Sequence, residues 1–291
     1  MLGRWLFGQG GPRLSTYRLK CDEREGTRGA FTISPLSSRG RAASHTGYEA
    51  VNCAEIVTLY EGNGTMIWKG QSLATEGIEI RPSVLSFEEI DAIKAEVSVD
   101  HEVLRRTGIR NLEKKFRSIA AVAASSTVLS IATSSLGRSA QLVRALFFDK
   151  TPERNWSVAW HQDRTVTVNR RIEMPGWGAW TRKDGVHHAQ PPREALDHMV
   201  TVRLHVDDAD EQGGCLYVIP GSQRLGVLTQ AEIDLTVEGA TPLACVVKAG
   251  DAVVMRPLLL HSSVKSRRPA HRRVVHLEYS SYELPPGVCW A

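Results

Sequence analysis

Residues 155–168 read NWSVAWHQDRTVTV: two apolar runs flank a polar break at His161-Gln162-Asp163. The pattern predicts a strand, a short interruption and a second strand. In an extended chain, residues i and i+2 point to the same face. The imidazole of His161 and the carboxylate of Asp163 are therefore expected to project together from one rigid edge. Two such ligands and one distant histidine, for which His261 is the candidate, make a site for non-haem Fe(II) with positions left open on the metal.

Outward from this stretch, the period of the sequence places the other elements. Strands are expected at Leu142–Phe148, Met199–Val206, Cys215–Ile219, Leu243–Val247, Ala252–Arg256 and Arg272–Tyr279. Between them lie an acidic turn at Asp207–Gly214, Pro220-Gly221-Ser222, Ala249-Gly250-Asp251 and a connection at His261–Arg268. Short strands joined by such turns suggest a barrel or sandwich. A short helix is expected around Arg193–His198, after Pro191-Pro192. Upstream, Ser86 and Glu89 have the spacing of a capping box, and Leu85 with Ile90 that of a hydrophobic staple. Phe87, Ile90, Ile93 and Val97 mark the apolar face of that helix. A second, buried helix is expected over about 112–135, closed by Gly137. Helices first and strands after predict a mainly β protein with helices supporting one side of antiparallel sheets. Strand pieces at Glu55–Tyr60 and Ile78–Ile80 are also expected.

The chain has 291 residues with 42% hydrophobic and 23% charged side chains, ordinary values for a globular protein. Its net charge of +4 is uneven. Residues 1–48 hold eight Lys/Arg against three acids, which leaves the remainder near neutral. A body without a clustered basic surface is not expected to bind nucleic acid. The same 1–48 stretch is rich in Gly, Ser, Arg and Thr and reads as a flexible or poorly ordered arm. Five scattered cysteines without a C-x-x-C argue against a disulfide framework or structural zinc. A reducing, cytoplasmic setting is expected; the Arg-rich N-terminus keeps a mitochondrial transit peptide as the alternative. No uninterrupted apolar run has the length of a membrane span.

A single H-x-D is a weak signal, and a second one occurs at His205-Val206-Asp207. That pair runs into Asp208, Asp210 and Glu211 and reads as a solvated turn, whereas His161 and Asp163 stand between apolar runs. With His161-Gln162-Asp163 come the Gly214 turn leading to YVIPGSQRLG at 217–226, AGDAVVMRPLLLHSS at 249–263, and Arg272 eleven residues after His261. In this ordered set the chain resembles the phytanoyl-CoA dioxygenase family of Fe(II)- and 2-oxoglutarate-dependent oxygenases over about residues 80–283. One departure is Gln223, where the family usually carries a histidine after Pro-Gly-Ser.

The resemblance implies a double-stranded β-helix core, jelly-roll and cupin-like, over about 140–283, with helical support over about 85–136, in a single oxygenase domain at 49–291. It implies His161, Asp163 and His261 as the iron ligands. Arg272 is implied to hold the remote carboxylate of 2-oxoglutarate, and Ser263 to contact the same cosubstrate. O2 is the second cosubstrate, succinate and CO2 are the products, and a small organic molecule is oxidised, by hydroxylation as the default. Related halogenases replace the metal's carboxylate with a small residue, so Asp163 favours a non-halogenating outcome. An arginine fork suits a carboxylate because it offers paired charge-assisted donors. Alternation puts Arg272, Val274 and His276 on one face of the last strand and Arg273, Val275 and Leu277 on the other; the strand pattern by itself leaves the choice of face open. The loop 169–192, with Trp177, Trp180, Arg182, Lys183, His187, His188 and Gln190, is the expected substrate-facing segment.

P-loop, G-x-G-x-x-G, G-x-S-x-G and H-E-x-x-H signatures are absent, which sets aside the chemistries they carry. The alternatives that stay open are a jelly-roll protein that binds a ligand without catalysis and an iron oxygenase of similar fold that does not use 2-oxoglutarate.

Overall fold

A computed structural model describes residues 17–21, 31–35, 72–100 and 108–291. The chain divides into two units, Met1–Gly70 and Gln71–Ala291. In the first, β1 (Tyr17–Cys21) pairs antiparallel with β2 (Phe31–Pro35). The rest of the expected 1–48 arm and the strand expected at Glu55–Tyr60 lie outside the described residues.

The second unit opens with β3 (Ile78–Arg81) and α1 (Phe87–Ser98). The capping box forms: Ser86 Oγ accepts from Glu89 N at 3.2 Å, and a Glu89 carboxylate oxygen accepts from Ser86 N at 2.8 Å. Such a cap stabilises a helix start by about 1 kcal/mol. Leu85 and Ile90 are both buried in one cluster, as the staple requires. Ile90, Ile93 and Val97 face that core, but Phe87 does not: it is 84% exposed at the first helical position.

After β4 (Gly108–Arg110), the expected single helix over 112–135 is three: α2 (Leu112–Lys115), α3 (Arg117–Ala123) and α4 (Ser126–Leu136). Phe116 is extended, at φ −117° and ψ 123°. Ser125 then caps α4 by accepting from Val128 N at 3.3 Å. The serine offers the backbone a local acceptor, which ends one helix and starts the next. α3 and α4 meet at 43°, and no single helix among the described residues is long and apolar enough to cross a membrane. Gly137, at φ +67°, closes α4 as expected.

The strands follow: β5 (Gln141–Lys150), β6 (Val158–His161), β7 (Val166–Val168), β8 (Gly178–Lys183), β9 (Val186–Gln190), α5 (Arg193–Asp197), β10 (Met199–His205), β11 (Leu216–Val218), α6 (Gln230–Glu238), β12 (Leu243–Cys245), β13 (Ala252–Met255), β14 (His261–Ser263) and β15 (Arg272–Ser280). The expected connection at His261–Arg268 thus begins as a strand. The expected loop at 169–192 contains the β8–β9 hairpin. A six-stranded sheet runs β3-β13-β10-β15-β5-β4 and a four-stranded one β12-β11-β14-β6, all pairings antiparallel. A smaller sheet runs β7-β9-β8. This is the jelly-roll arrangement with helices.

Strand alternation assigns the two faces of the six-stranded sheet. Ala145, Phe147, Val200, Val202, Leu204, Ala252, Val254, Val275 and Leu277 pack with the helices in one cluster. The next residues along, Val253 and Met255, pack instead with Leu216, Val218, Ala244 and Leu259 of the other side. That inner face is unusually polar. Arg144, Lys150, Thr201, Arg203, His205, Arg272, His276 and Glu278 are all buried there, at alternate positions of β5, β10 and β15.

Candidate active site

β14 and β6 pair so that His261 stands directly opposite His161. Residues directly opposite in an antiparallel pair share a face, and the two rings lie 4.1 Å apart between centroids. Asp163 follows the end of β6, with its N–H bonded to Pro257 O at 2.9 Å. Its carboxylate lies 3.9 Å from His161 Nε2 and 3.6 Å from His261 Nε2. The structure thus gathers one ligand atom from each of the three sequence-predicted residues within 4.8 Å.

A second group, Asp163, His276 and Glu278, meets the same distance criterion. Proton positions separate the two. His161 Nδ1 sits 2.8 Å from Ala159 O and His261 Nδ1 sits 2.9 Å from Leu259 O. A carbonyl only accepts, so both Nδ1 atoms carry the proton and both Nε2 atoms offer a lone pair. A backbone carbonyl is a common partner for the distal nitrogen of a metal-binding histidine. His276 is the reverse. Its Nδ1 lies 3.3 Å from Arg203 Nη1, and a guanidinium only donates. The His276 proton is therefore on Nε2, which lies 3.3 Å from Glu278 and 3.9 Å from Asp163. His276 Nε2 thus turns its proton toward Glu278 and Asp163 without a hydrogen bond to either, and of the two groups among the described residues that of His161, Asp163 and His261 is the donor set that fits a metal ion.

Strand register explains this supporting group. Arg203 pairs with His276 and Arg144 with Glu278, next to a register shift that sets Leu142 opposite Tyr279. Arg144 Nε and a Glu278 oxygen are 2.8 Å apart, though off the line of a hydrogen bond. Burial opposes charge on Asp163, but His261, His276, His161 and Arg144 outweigh it and hold the carboxyl at about 2. Burial lowers His261 to about 4, against the pull of Asp163. Both shifts leave the lone pairs available for a metal at neutral pH.

Gln162, between two of the predicted ligands, turns the other way. Its amide donates to Gly226 O at 2.7 Å and Leu258 O at 2.8 Å, and its oxygen accepts from Leu228 N at 2.9 Å. It ties the end of β6 to the segment after Pro220-Gly221-Ser222 and to the approach to β14. Gln223 lies elsewhere, against Gly77, with its amide on Thr75 O at 3.1 Å.

Arg272 is on the inner face of β15 and is 3% exposed. Arg273 points to the outer side, where it makes a two-pronged pair with Asp207, both bonds at 2.8 Å. This settles the face that alternation left open. Arg272 Nε has no hydrogen-bond partner. Lys150 is directly opposite Arg272 in register and donates to Ser263 Oγ at 3.0 Å. Burial first, and then the neighbouring cations, lower Arg272 to about 9 and Lys150 to about 7, while burial lowers Arg203 to about 10 against the pull of Asp163.

His205 is not in a solvated turn. It ends β10 on the inner face, 1% exposed, and belongs to neither metal-capable group among the described residues. Burial and then Arg203 and Arg272 hold its imidazole well below the usual range. The β8–β9 hairpin also differs from an open loop. Trp177 and His188 are buried, Trp177 stacks on Trp180 at 6.3 Å, and Arg182 and Lys183 are exposed.

The sequence model of the phytanoyl-CoA dioxygenase family matches residues 73–274. The chain belongs to that family. No curated protein matches it by sequence. Among solved structures, AviO1 from Streptomyces viridochromogenes Tue57 is similar at 21% identity and a TM-score of 0.55, over 74% of this chain and 94% of that one. EctD from S. alaskensis, solved with 2-oxoglutarate and 5-hydroxyectoine, has 18% identity and a TM-score of 0.57, over 77% and 79%. HygX from Streptomyces hygroscopicus, solved with nickel and 2-oxoglutarate, has 15% identity and a TM-score of 0.51, over 72% and 83%. At these identities the likeness is one of fold.

Proposed function

We propose that the chain is an Fe(II)- and 2-oxoglutarate-dependent oxygenase that oxidises a small organic molecule, by hydroxylation as the default. The observation that supports it most is that two features of neighbouring sheets come together. Two imidazole lone pairs and a carboxylate converge within 4.8 Å at β6 and β14 of the four-stranded sheet, and a cluster of buried cations around Arg272 lies on the six-stranded sheet, whose His276 comes within 3.9 Å of Asp163. His276 and Arg272 are four residues apart on β15, about 13 Å along a strand. His161, Asp163 and His261 would hold the iron and leave positions open. Arg272 and Ser263 would hold the charged far end of the cosubstrate. Iron with 2-oxoglutarate supplies oxidative decarboxylation and a strong hydrogen-abstracting oxidant. The protein's own part is to hold Asp163 through its N–H on Pro257 O, with His276 beside it, and to keep both Nε2 lone pairs free through the Ala159 and Leu259 carbonyls.

Hydroxylation is the default rather than the sole outcome, since similar structures include a carbocyclase, SnoK, and an epimerase, SnoN. The test is anaerobic addition of 2-oxoglutarate to the Fe(II)-loaded protein, read by its metal-to-ligand charge-transfer band, followed by succinate release on admitting O2. Iron binding without the band points to an oxygenase that does not use 2-oxoglutarate. Absence of iron binding points to a ligand-binding jelly roll.

A further inference from the structure

The inner face holds more positive charge than one arginine fork. Lys150 ends β5 with its side chain wholly buried. Its ammonium donates to Ser263 Oγ at 3.0 Å and to Val264 O at 2.5 Å, and lies 5.5 Å from the Trp156 ring. Among the described residues no carboxylate pairs with it; its neighbours are the cations Arg272 and Arg203. Asp149, the next residue, points to the other face and is engaged by His271 and Arg154. Arg203 is committed to His276 and lies 5.6 Å from the Phe148 ring. A buried ammonium beside two guanidiniums, with only neutral acceptors, is costly in the empty fold. Charge of this kind is retained where a ligand neutralises it.

Resting on the function proposed above, we propose that Lys150 is a cosubstrate-binding residue that shares with Arg272 and Ser263 the remote carboxylate of 2-oxoglutarate. Hydrogen bonding supports the grouping. In its charged form Lys150 has three protons and no lone pair, so Ser263 Oγ accepts from it. The serine's own proton is then free to donate to an anion. Register adds a second support: Lys150 stands directly opposite Arg272, so the two side chains leave the sheet on one face. The depressed ammonium, at about 7, is what a cation without its counter-ion shows.

The experiment compares 2-oxoglutarate with 2-oxopentanoate, which keeps the keto acid and replaces the remote carboxylate by methyl. Both are titrated anaerobically into Fe(II)-loaded parent, Lys150→Met and Lys150→Arg, and the charge-transfer band is read. Lys150→Met is expected to lower the preference for 2-oxoglutarate over 2-oxopentanoate at least tenfold, with Fe(II) affinity unchanged and Lys150→Arg retaining most of the preference. Without ligand, Lys150→Met is expected to melt no lower than the parent, because it removes an uncompensated charge. A purely structural lysine would lower the melting temperature and leave the preference alone. An unchanged preference in Lys150→Met while the parent binds 2-oxoglutarate overturns the role of Lys150 alone. A parent that develops no band with 2-oxoglutarate overturns the functional proposal and this one with it. Should Lys150→Met fail to fold, Lys150→Gln is read for the same ratio, and an unchanged ratio there is equally fatal.

Discussion

Gln162→Leu tests the claim that the residue between the two first ligands is a clamp. The glutamine is 5% exposed and makes three hydrogen bonds, two donated and one accepted. Leucine fills similar space but leaves the Gly226 and Leu258 carbonyls and the Leu228 N–H without this partner. Each buried group left unsatisfied costs about 1–3 kcal/mol. Burying the leucine returns about 1.5–3 kcal/mol. The net loss is about 3 kcal/mol, or about 6–12 °C in melting temperature for a body of this size. Because His161 and Asp163 flank the position, Fe(II) affinity should also fall by about tenfold or more, the usual scale for supports of metal ligands. Thermal denaturation of the metal-free protein and anaerobic Fe(II) titration read the two effects separately. A variant that melts with the parent and binds iron as the parent does would refute the clamp. It would mean that the Asp163 N–H to Pro257 O bond alone places the ligands.

Asp163→Ala should lose stoichiometric Fe(II), while Arg272→Leu should keep it and weaken 2-oxoglutarate by about 10- to 100-fold, the worth of a charge-assisted bond; parallel metal and cosubstrate titrations check both. His276→Phe should weaken Fe(II) binding without abolishing it, because it removes a support and leaves all three donors; equal affinity in parent and variant would remove His276 from the site. His188 is held at about 4, chiefly by burial and then by Arg144, Arg110 and Lys183, against an ordinary 6.5. The unfolded chain therefore binds more protons between those values, and stability should fall as pH drops from about 6.5 to about 4. His188→Gln should flatten that part of a denaturation-versus-pH curve. Removal of residues 1–48 should leave iron and 2-oxoglutarate binding unchanged, since no proposed ligand lies there; loss of either in the folded remainder would contradict this.

What the sequence made legible was whatever depended on order and local chemistry. His161, Asp163 and His261 could be picked because motif order distinguished them from His205-Asp207, and the Ser86–Glu89 cap because its spacing is local. Arg272 was reachable, but its face was not, because alternation cannot say which side of a strand meets the core. Arg273 with Asp207 decides that only in three dimensions. His205 was misread because nearby acids suggested solvent, whereas β10 buries it with Thr201 and Arg203. A signal was present there: polar side chains alternate with Val200, Val202 and Leu204, which marks a strand with a polar buried face. The β8–β9 hairpin also carried a usable signal. Asp184-Gly185, at φ +49° and +80°, is a two-residue turn of the kind such dipeptides favour. Lys150 offered none, since a lysine at a strand end ordinarily reads as a solvated charge.

His161 and His261 stand opposite each other on paired strands, yet they are 100 positions apart in the chain. Closing so long a loop has an entropic cost that only the finished sheet repays. The donor set therefore does not exist in a partly folded chain, and a metal ion captured there would stabilise the native state selectively, in proportion to its free concentration. Iron supply would then govern more than turnover. A cell short of the metal would hold a larger unfolded fraction of this protein, open to proteases, and its abundance would follow iron even at constant synthesis.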